Sequence, residues 1–135
     1  MKNDLREIAT QARLRAYAPY SGFKVGAALL ADSGKIYAGC NVENVSFGLT
    51  LCAERVCVGK AIEAGDTSFR ELAIVSDSQE PVMPCGACRQ VLAEFTPDLT
   101  ITCWTLSGER SELSLATLLP CPRQGMLEHN VPRGT

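Results

Sequence analysis

Histidine, basic charge and long apolar runs are all scarce or missing in this chain. Its 135 residues include one histidine, His129, which lies in a polar segment near the C-terminus. A metal site built mainly from imidazole groups is therefore excluded. The formal net charge is -2, so the chain lacks the broad basic surface that binds a nucleic-acid backbone. We predict that nucleic acid is not a partner.

The chain also lacks a segment suited to export or to a membrane. Residues 1–15 are polar and charged, without the apolar stretch of a cleavable signal, and no later run approaches a membrane span. Cysteine is plentiful by contrast, with seven copies, an odd number that does not suit paired disulfides. We expect a cytoplasmic protein without a membrane partner, whose thiols are reduced and available for a metal.

The length of the chain is that of one domain with a substantial hydrophobic core. It has no linker, repeat or low-complexity segment, so we predict a single domain over residues 1–135. Within it, residues 121–135 form a C-terminal tail without clear periodicity. Strand-like and helix-like segments alternate before the tail, which predicts an α/β fold with a sheet covered on both faces by helices.

The spacing of apolar residues predicts the individual elements. A first helix contains Leu5 and Ala12 and is ended by Pro19, a second runs over residues 53–65, and a third carries Val91 and Phe95. Extended apolar runs predict strands, which cover residues 24–30, 35–41, 72–76 and 99–106. The first two strands flank a short polar turn and are therefore expected to pair as a hairpin.

Three cysteines and a glutamate are the most informative residues. Cys52 precedes Glu54 by two positions, and Cys85 and Cys88 form a C-x-x-C pair after a proline. Three thiolates can hold Zn²⁺ and leave its fourth position open, and the carboxylate can lie beside that position. The same pattern, C-x-E followed by P-C-x-x-C, is that of zinc deaminases, in which the glutamate carries protons. We predict one zinc per chain, bound by the three cysteines, and Glu54 as the catalytic residue.

Two structural interpretations of the same cysteines stay open at this point. Cys85 and Cys88 alone could form a redox pair or half of a closed structural zinc site. A redox pair would leave the segment 52–54 unexplained. A closed site would need a fourth ligand, and four further cysteines are present, although none of them forms a second C-x-x-C: Cys40, Cys57, Cys103 and Cys121.

Both metal-binding segments are predicted to lie at helix N-termini. Cys52 would open the second helix, and Cys85 and Cys88 would flank the start of the third. The unpaired N–H groups and the positive end of the helix dipole favour thiolates there. Arg55 lies three positions after Cys52 and Arg89 directly follows Cys88, and we expect both to donate hydrogen bonds to the sulfurs and draw off negative charge.

Beyond these motifs the chain resembles the small cytidine deaminases of nucleoside salvage that bind zinc through three cysteines. The resemblance extends over nearly the whole chain up to Pro120. Four segments carry it in the expected order: 18–29 (APYSGFKVGAAL), 39–44 (GCNVEN), 52–55 (CAER) and 84–91 (PCGACRQV). It implies a three-layer α/β/α fold with a mixed central sheet, and a homotetramer in which neighbouring subunits complete the pockets.

The resemblance also implies a nucleoside pocket and a reaction. Asn41 and Glu43 would bind the sugar hydroxyls, Phe23 would pack against the nucleoside, and the backbone of Ala53 would contact the base. On a strand, Asn41 and Glu43 would point to the same face, because side chains two residues apart do so. Phe23 could equally be a core residue, supported by the turn 20–22. The implied reaction converts cytidine and 2′-deoxycytidine to uridine and 2′-deoxyuridine and releases ammonia, with zinc as the only cofactor.

Two positions depart from the family pattern. Phe47 stands where the family often has a tyrosine that reaches a neighbouring subunit's pocket. Residues 118–120 (LLP) are not followed by the family's phenylalanine, so either Met126 or Leu127 takes its place or this wall of the pocket is missing. A roomier pocket would allow modified or N4-substituted cytidines as alternative substrates. A blasticidin-type aminonucleoside deaminase is a further alternative, and a nucleotide or nucleic-acid deaminase fits less well because it usually has histidine where this chain has Cys52.

Overall fold

A mixed five-stranded sheet forms the middle layer of the computed structural model, which describes residues 2–123. Along the chain the elements are α1 (Lys2–Arg13), β1 (Val25–Ala31), β2 (Ile36–Cys40), a 3₁₀ turn (Phe47–Leu49), α2 (Ala53–Glu63), β3 (Phe69–Ser76), α3 (Gly86–Phe95), β4 (Thr100–Thr105), β5 (Arg110–Ser114) and α4 (Leu115–Leu118). The strand order is β2-β1-β3-β4-β5. Strands β3 and β4 are parallel and the other neighbours are antiparallel.

Helices cover both faces of this sheet, as the sequence predicted. Alternate residues of β1 divide between two cores: Ala27 and Leu29 pack on the side of α2 and α3, and Ala28 and Leu30 pack on the side of α1. This division follows from the two-residue period of a strand. Because both faces are covered, nearly every residue of β1 is buried. None of the helices within residues 2–123 is long and apolar enough to cross a membrane.

Several predicted boundaries were wrong by a few residues. Helix α1 ends at Arg13, well before Pro19, because the chain leaves the helix to pair Tyr17 with Val42. Strand β2 ends at Cys40, one residue earlier than predicted. Strand β3 starts three residues earlier than predicted, and β5 and α4 had not been recognised as elements. Met126, Leu127 and His129 lie outside the described residues.

Two glycines allow the helices to lie directly against the sheet. A Cβ on Gly26 would be 2.0 Å from the carbonyl oxygen of Ala9 in α1. A Cβ on Gly39 would be 2.7 Å from the carbonyl oxygen of Ala53 and 3.0 Å from the Sγ atom of Cys57, both in α2. Any larger residue at these positions would push the helix away, so Gly39 fixes where α2 begins.

The topology places the starts of α2 and α3 at one edge of the sheet. Strand β1 runs antiparallel to both β2 and β3, and β3 runs parallel to β4. The C-terminal ends of β2, β3 and β4 therefore point the same way. The chain continues from the end of β2 to α2, and from the end of β3 to α3. Ligand sites of α/β proteins form at such an edge.

Candidate active site

The cysteine side chains are presented by the first residues of two helices. Cys52 is the N-cap of α2 and Cys85 is the N-cap of α3, both in extended backbone conformation. Neither side chain makes a capping hydrogen bond to its own helix, so neither sulfur is occupied by that role. Cys88 lies one turn into α3 and is buried. The predicted placement of the three cysteines at helix starts is confirmed.

The three sulfurs converge at a distance that suits a zinc ion. The Sγ atom of Cys85 lies 3.9 Å from that of Cys52 and 3.5 Å from that of Cys88, and all three lie within 4.8 Å of one another. Two tetrahedral ligands about 2.3 Å from zinc would be separated by about 3.8 Å. Within residues 2–123 this is the one cluster of at least three potential metal ligands. No fourth protein ligand joins it there, which leaves a coordination position open.

The sulfurs share a proton and a neighbouring cation. The thiol of Cys88 and the guanidinium of Arg55 donate hydrogen bonds that lower the pKa of Cys52. The pKa of Cys88 is raised because this thiol holds the proton shared with Cys52. Arg55 donates from Nη2 to the Cys52 sulfur at 3.4 Å and to the carbonyl oxygen of Thr50 at 3.2 Å. The predicted hydrogen bond from Arg55 to a sulfur is therefore present.

Glu54 lies in the first turn of α2 beside the cluster and is only 5% exposed. Burial, with a smaller effect from the negative charge of Cys52, raises its pKa to about 7. A carboxyl group that titrates near neutral pH can both accept and return a proton. The buried thiols of Cys57 and Cys103 have pKa values raised by burial and by Glu54, so they stay protonated.

Arg89 does not make the predicted contact with a sulfur. Its Nε atom donates to the carbonyl oxygen of Pro84 at 2.8 Å, and its Nη1 atom donates to that of Leu118 at 3.2 Å. Among the described residues, Arg89 therefore ties the start of α3 to α4 instead of neutralising a thiolate. The expectation failed because Leu118 belongs to a helix that the sequence pattern had not indicated.

Asn41 and Phe23 form a second group of predicted site residues, joined through the backbone of β1. Asn41 follows β2 and is nearly buried. Its Oδ1 atom accepts from the N–H of Val25 at 2.9 Å, and its Nδ2 atom donates to the carbonyl oxygen of Phe23 at 2.8 Å. Phe23 is 36% exposed and belongs to neither core cluster. The core interpretation of Phe23 is therefore wrong.

Glu43 is held by the turn that precedes Phe23 rather than by a strand. Its Oε1 atom accepts from the N–H groups of Tyr20 at 2.9 Å and of Ser21 at 3.1 Å, and its Oε2 atom accepts from the Ser21 hydroxyl. These bonds, above all that from the hydroxyl, lower the pKa of Glu43. The prediction that Asn41 and Glu43 share a strand was wrong, since β2 ends before both.

Thr50 connects the group around Glu43 with the cysteine cluster. A recess of about 290 Å³ is lined by Tyr20, Ser21, Glu43, Phe47 and Thr50. The carbonyl oxygen of Thr50 accepts from the same arginine nitrogen that donates to Cys52. Sequence reasoning had considered Ser21 only as part of a turn and had missed Thr50. A potential metal site and a recess that contains the Glu43 carboxylate thus lie next to each other.

Comparisons with known proteins agree with this geometry. Residues 1–104 match the family model "Cytidine and deoxycytidylate deaminase zinc-binding region". The chain is 51% identical over 111 residues to a cytidine deaminase of Sporosarcina psychrophila, covering 82% of each chain. It is 54% identical over 92 residues to a cytidine deaminase of Mycobacterium tuberculosis H37Rv, covering 68% of this chain and 69% of the relative.

Solved structures give the same result. The crystal structure of cytidine deaminase from Burkholderia pseudomallei superimposes with a TM-score of 0.86 at 46% identity, covering 89% of this chain and 97% of that one. That of cytidine deaminase from Mycobacterium tuberculosis gives 0.77 at 47% identity, covering 88% and 94%. The α/β fold and the zinc cofactor predicted from the sequence are confirmed. The chain belongs to the family of cytidine and deoxycytidylate deaminases that share a zinc-binding region.

Proposed function

We propose that this protein catalyses the hydrolytic deamination of cytidine and 2′-deoxycytidine to uridine and 2′-deoxyuridine, with release of ammonia, in cytoplasmic pyrimidine salvage. The main support is the buried carboxyl group of Glu54 beside a three-cysteine cluster that lacks a fourth protein ligand among the described residues. Relatives named cytidine deaminase, about half identical to this chain, support the substrate class. A cytoplasmic location keeps seven thiols reduced.

The residues around the cluster divide the chemistry between them. A zinc ion bound by Cys52, Cys85 and Cys88 would supply Lewis acidity, which lowers the pKa of the attacking water. Glu54 accepts one proton from that water and passes it to N3 of the cytosine ring, then accepts the second proton from the hydroxyl group added at C4 and delivers it to the amino group. Water oxygen adds to C4, the bond from C4 to the amino nitrogen breaks, and ammonia leaves. Arg55 offsets the negative charge of the thiolates.

The hydrogen bonds of Asn41 and Glu43 leave capacity for one sugar hydroxyl. One N–H of the Asn41 amide already donates to Phe23, so one N–H remains. Glu43 accepts two bonds at Oε1 and one at Oε2, so one lone pair remains at Oε2. A hydroxyl that accepts from Asn41 and donates to Glu43 would satisfy both groups. A single recognised hydroxyl explains why both a ribonucleoside and a 2′-deoxyribonucleoside are suitable substrates.

The base would bind between these polar groups and the cluster. Phe23 has an exposed aromatic ring, and its backbone carbonyl group is bound by the proposed sugar-binding residue Asn41. Ala53 is fully buried at the first position of α2, next to Glu54. Its backbone lies between the zinc ligand Cys52 and the proton carrier Glu54. We therefore assign Phe23 to the face of the nucleoside and the backbone of Ala53 to the base.

We assign the functional assembly to a homotetramer in which neighbours close this pocket. Val45, Phe47 and Leu49 are 76%, 75% and 68% exposed, although they lie in one short segment beside the recess. Contiguous exposed apolar side chains are typical of interaction surfaces. A second copy covering this segment would also shield the nucleoside from water. Sedimentation analysis of the zinc-loaded protein tests this assignment, and a monomer with full activity would contradict it.

Ultraviolet absorbance during turnover tests the proposed reaction. The zinc-loaded protein is incubated with cytidine, 2′-deoxycytidine, cytosine, CMP, an N4-substituted cytidine and blasticidin S. We expect turnover of cytidine and 2′-deoxycytidine within about tenfold of each other, since one hydroxyl is read, and much slower turnover of cytosine and CMP. A strong preference for CMP, for blasticidin S or for the substituted nucleoside would overturn the proposed substrate. Protein stripped of metal by a chelator is the matched blank.

A further inference from the structure

The turn of residues 18–23 contributes one side chain, Ser21, that contacts two residues of the proposed nucleoside pocket. The turn is closed by the N–H of Gly22, which donates to the carbonyl oxygen of Ala18 at 2.9 Å. Gly22 adopts a positive φ of 70°, a conformation that favours glycine. This turn places the Ser21 hydroxyl between Glu43 and the backbone of Phe23.

The Ser21 hydroxyl uses both its donor and an acceptor in this position. It donates to the Oε2 atom of Glu43, and it accepts from the N–H of Phe23 at 3.0 Å. The carbonyl oxygen of Phe23 accepts in turn from the Asn41 amide. The backbone of Phe23 is therefore fixed at its N–H by Ser21 and at its carbonyl by Asn41. Glu43, Phe23 and Asn41 thus belong to one network, in which the Ser21 hydroxyl joins Glu43 to Phe23.

The orientation of the Glu43 carboxylate depends on the same hydroxyl. Two backbone N–H groups bind Oε1, which fixes one oxygen but allows the carboxylate plane to rotate about that oxygen. The bond from the Ser21 hydroxyl to Oε2 removes this rotation, because it defines the position of the second oxygen. The lone pair that remains on Oε2 then points in one direction. Without the hydroxyl, Oε2 would have two free lone pairs and no fixed direction.

We propose that Ser21 is a positioning residue that sets selectivity for nucleosides carrying the recognised sugar hydroxyl. It acts by aiming Oε2 of Glu43 at that hydroxyl while holding Phe23 beside it. The inference rests on the proposed nucleoside function and extends it to a residue that does not touch the reacting atoms. The sugar lies away from the ring carbon that is attacked, so the effect belongs to binding and changes KM more than kcat.

The experiment compares Ser21→Ala with the wild-type enzyme on cytidine and on 2′,3′-dideoxycytidine, which lacks both ring hydroxyls. We expect kcat/KM for cytidine to fall about tenfold in Ser21→Ala, through KM, because a hydrogen bond to a charged group is lost. The value for the dideoxynucleoside should change less than about twofold. Ser21→Thr, which keeps a hydroxyl, should restore most of the selectivity. Ser33→Ala, which removes a hydroxyl in the distant β1–β2 turn, is the control.

The results that would overturn the proposal can be distinguished from one another. Equal losses on both nucleosides, or no loss on either, would show that Ser21 supports the fold without setting selectivity. A wild-type enzyme that uses both nucleosides equally well would show that Glu43 does not read a sugar hydroxyl, which would remove the basis of the inference while leaving cytidine deamination intact. Zinc content and circular dichroism, measured on every variant, identify a loss that arises from misfolding. If Ser21→Ala misfolds, Ser21→Thr provides the test. A kcat/KM for cytidine in Ser21→Thr that is as low as its kcat/KM for the dideoxynucleoside would refute the proposal.

Discussion

The backbone of Gly39 in β2 lies so close to Ala53 in α2 that a Cβ on the glycine would be 2.7 Å from the Ala53 carbonyl oxygen. Ala53 stands between the zinc ligand Cys52 and Glu54. The distance between one glycine and one helix start therefore sets the depth at which both groups enter the site. Close approach of this kind requires a residue without a side chain.

Replacing Gly39 with alanine should displace the start of α2. Overpacking of this kind costs about 1–3 kcal/mol in the free energy of unfolding, and the shift should also weaken zinc binding and lower kcat. Gly59→Ala is the control on the same helix, because a Cβ there meets nothing within 4 Å and alanine favours a helix by about 1 kcal/mol. Chemical denaturation and zinc titration measure both effects. A stable Gly39→Ala variant with normal zinc affinity would contradict the role of this contact.

The zinc ligands can be tested by removing one sulfur. Cys85→Ala should lose the ion and unfold at a lower temperature, because metal binding contributes directly to folding stability. Cys121→Ser removes an exposed thiol outside the cluster and should retain both zinc and stability. Elemental analysis together with a thermal melt gives the two readouts. Full zinc occupancy in Cys85→Ala would rule out the assignment of that ligand.

Arg55 and Arg89 should behave differently, although both were expected to donate a hydrogen bond to a sulfur. Arg55→Gln removes the hydrogen bond to the Cys52 sulfur and should lower turnover by about 10- to 100-fold in zinc-loaded enzyme. Arg89→Gln removes bonds to two backbone carbonyl groups and should instead lower the free energy of unfolding by about 1–3 kcal/mol. Turnover per zinc-bound molecule separates the two effects. Equal activity losses in both variants would show that the structural distinction between them has no catalytic meaning.

The hydrogen bond from Tyr37 to Asp66 predicts a pH-dependent contribution to stability. The Tyr37 hydroxyl donates to Oδ2 of Asp66 at 2.5 Å, which raises the pKa of Tyr37 and lowers that of Asp66. Because the pKa of Asp66 is lowered on folding, its carboxylate stabilises the folded protein at pH values above the unfolded-state pKa of about 3.9. This stabilisation is lost as the pH falls through the folded-state pKa. Because the pKa of Tyr37 is raised on folding, its protonated phenol stabilises the folded protein at pH values below the unfolded-state pKa of about 10. This stabilisation is lost as the pH rises through the folded-state pKa.

Tyr37→Phe should therefore be less stable than the wild type between about pH 5 and about pH 9, and the difference should shrink outside that range. Urea denaturation at a series of pH values measures it. Tyr17→Phe, which removes the hydroxyl of an exposed side chain, serves as the comparison. A difference between Tyr37→Phe and the wild type that persists unchanged at pH 3 would show that the Asp66 carboxylate is not involved.

Local patterns in the sequence were sufficient to place the metal site. Cys52 and Cys85 could be assigned to helix N-termini because each directly precedes a segment with helical spacing, and the structure places both as N-caps. Cys88 follows at one helical turn, so its convergence with Cys85 required no knowledge of the tertiary fold. The position of Glu54 could be predicted on one condition, which was that the second helix starts where the motif indicates.

Residues whose role depends on a distant partner could not be predicted in the same way. Arg89 donates to the carbonyl oxygen of Leu118 instead of to a sulfur, and Leu118 lies 29 positions further along the chain, in the short helix α4. Glu43 lies 22 positions from Ser21, and it had been expected to share a strand face with Asn41. Tertiary contacts, rather than local propensity, fixed both side chains, since the turn at Ser21 offers three donors that a strand would not supply.

The central claim is that Glu54 moves the protons at a zinc site formed by the three cysteines. Replacing Glu54 with glutamine keeps its size and one hydrogen-bonding oxygen but removes its ability to accept and return a proton. Glu63→Gln, at the exposed C-terminal end of the same helix, is the matched control and should retain full activity.

The decisive measurement is the turnover of cytidine by Glu54→Gln with zinc occupancy determined in the same sample. Proton transfer by a positioned side chain contributes about 10²- to 10⁴-fold. Because Glu54 serves several transfers, we predict a loss at the upper end of this range or beyond it, at unchanged zinc content. A zinc-replete Glu54→Gln enzyme with near-normal turnover would contradict the account, since another group would then have to carry the protons.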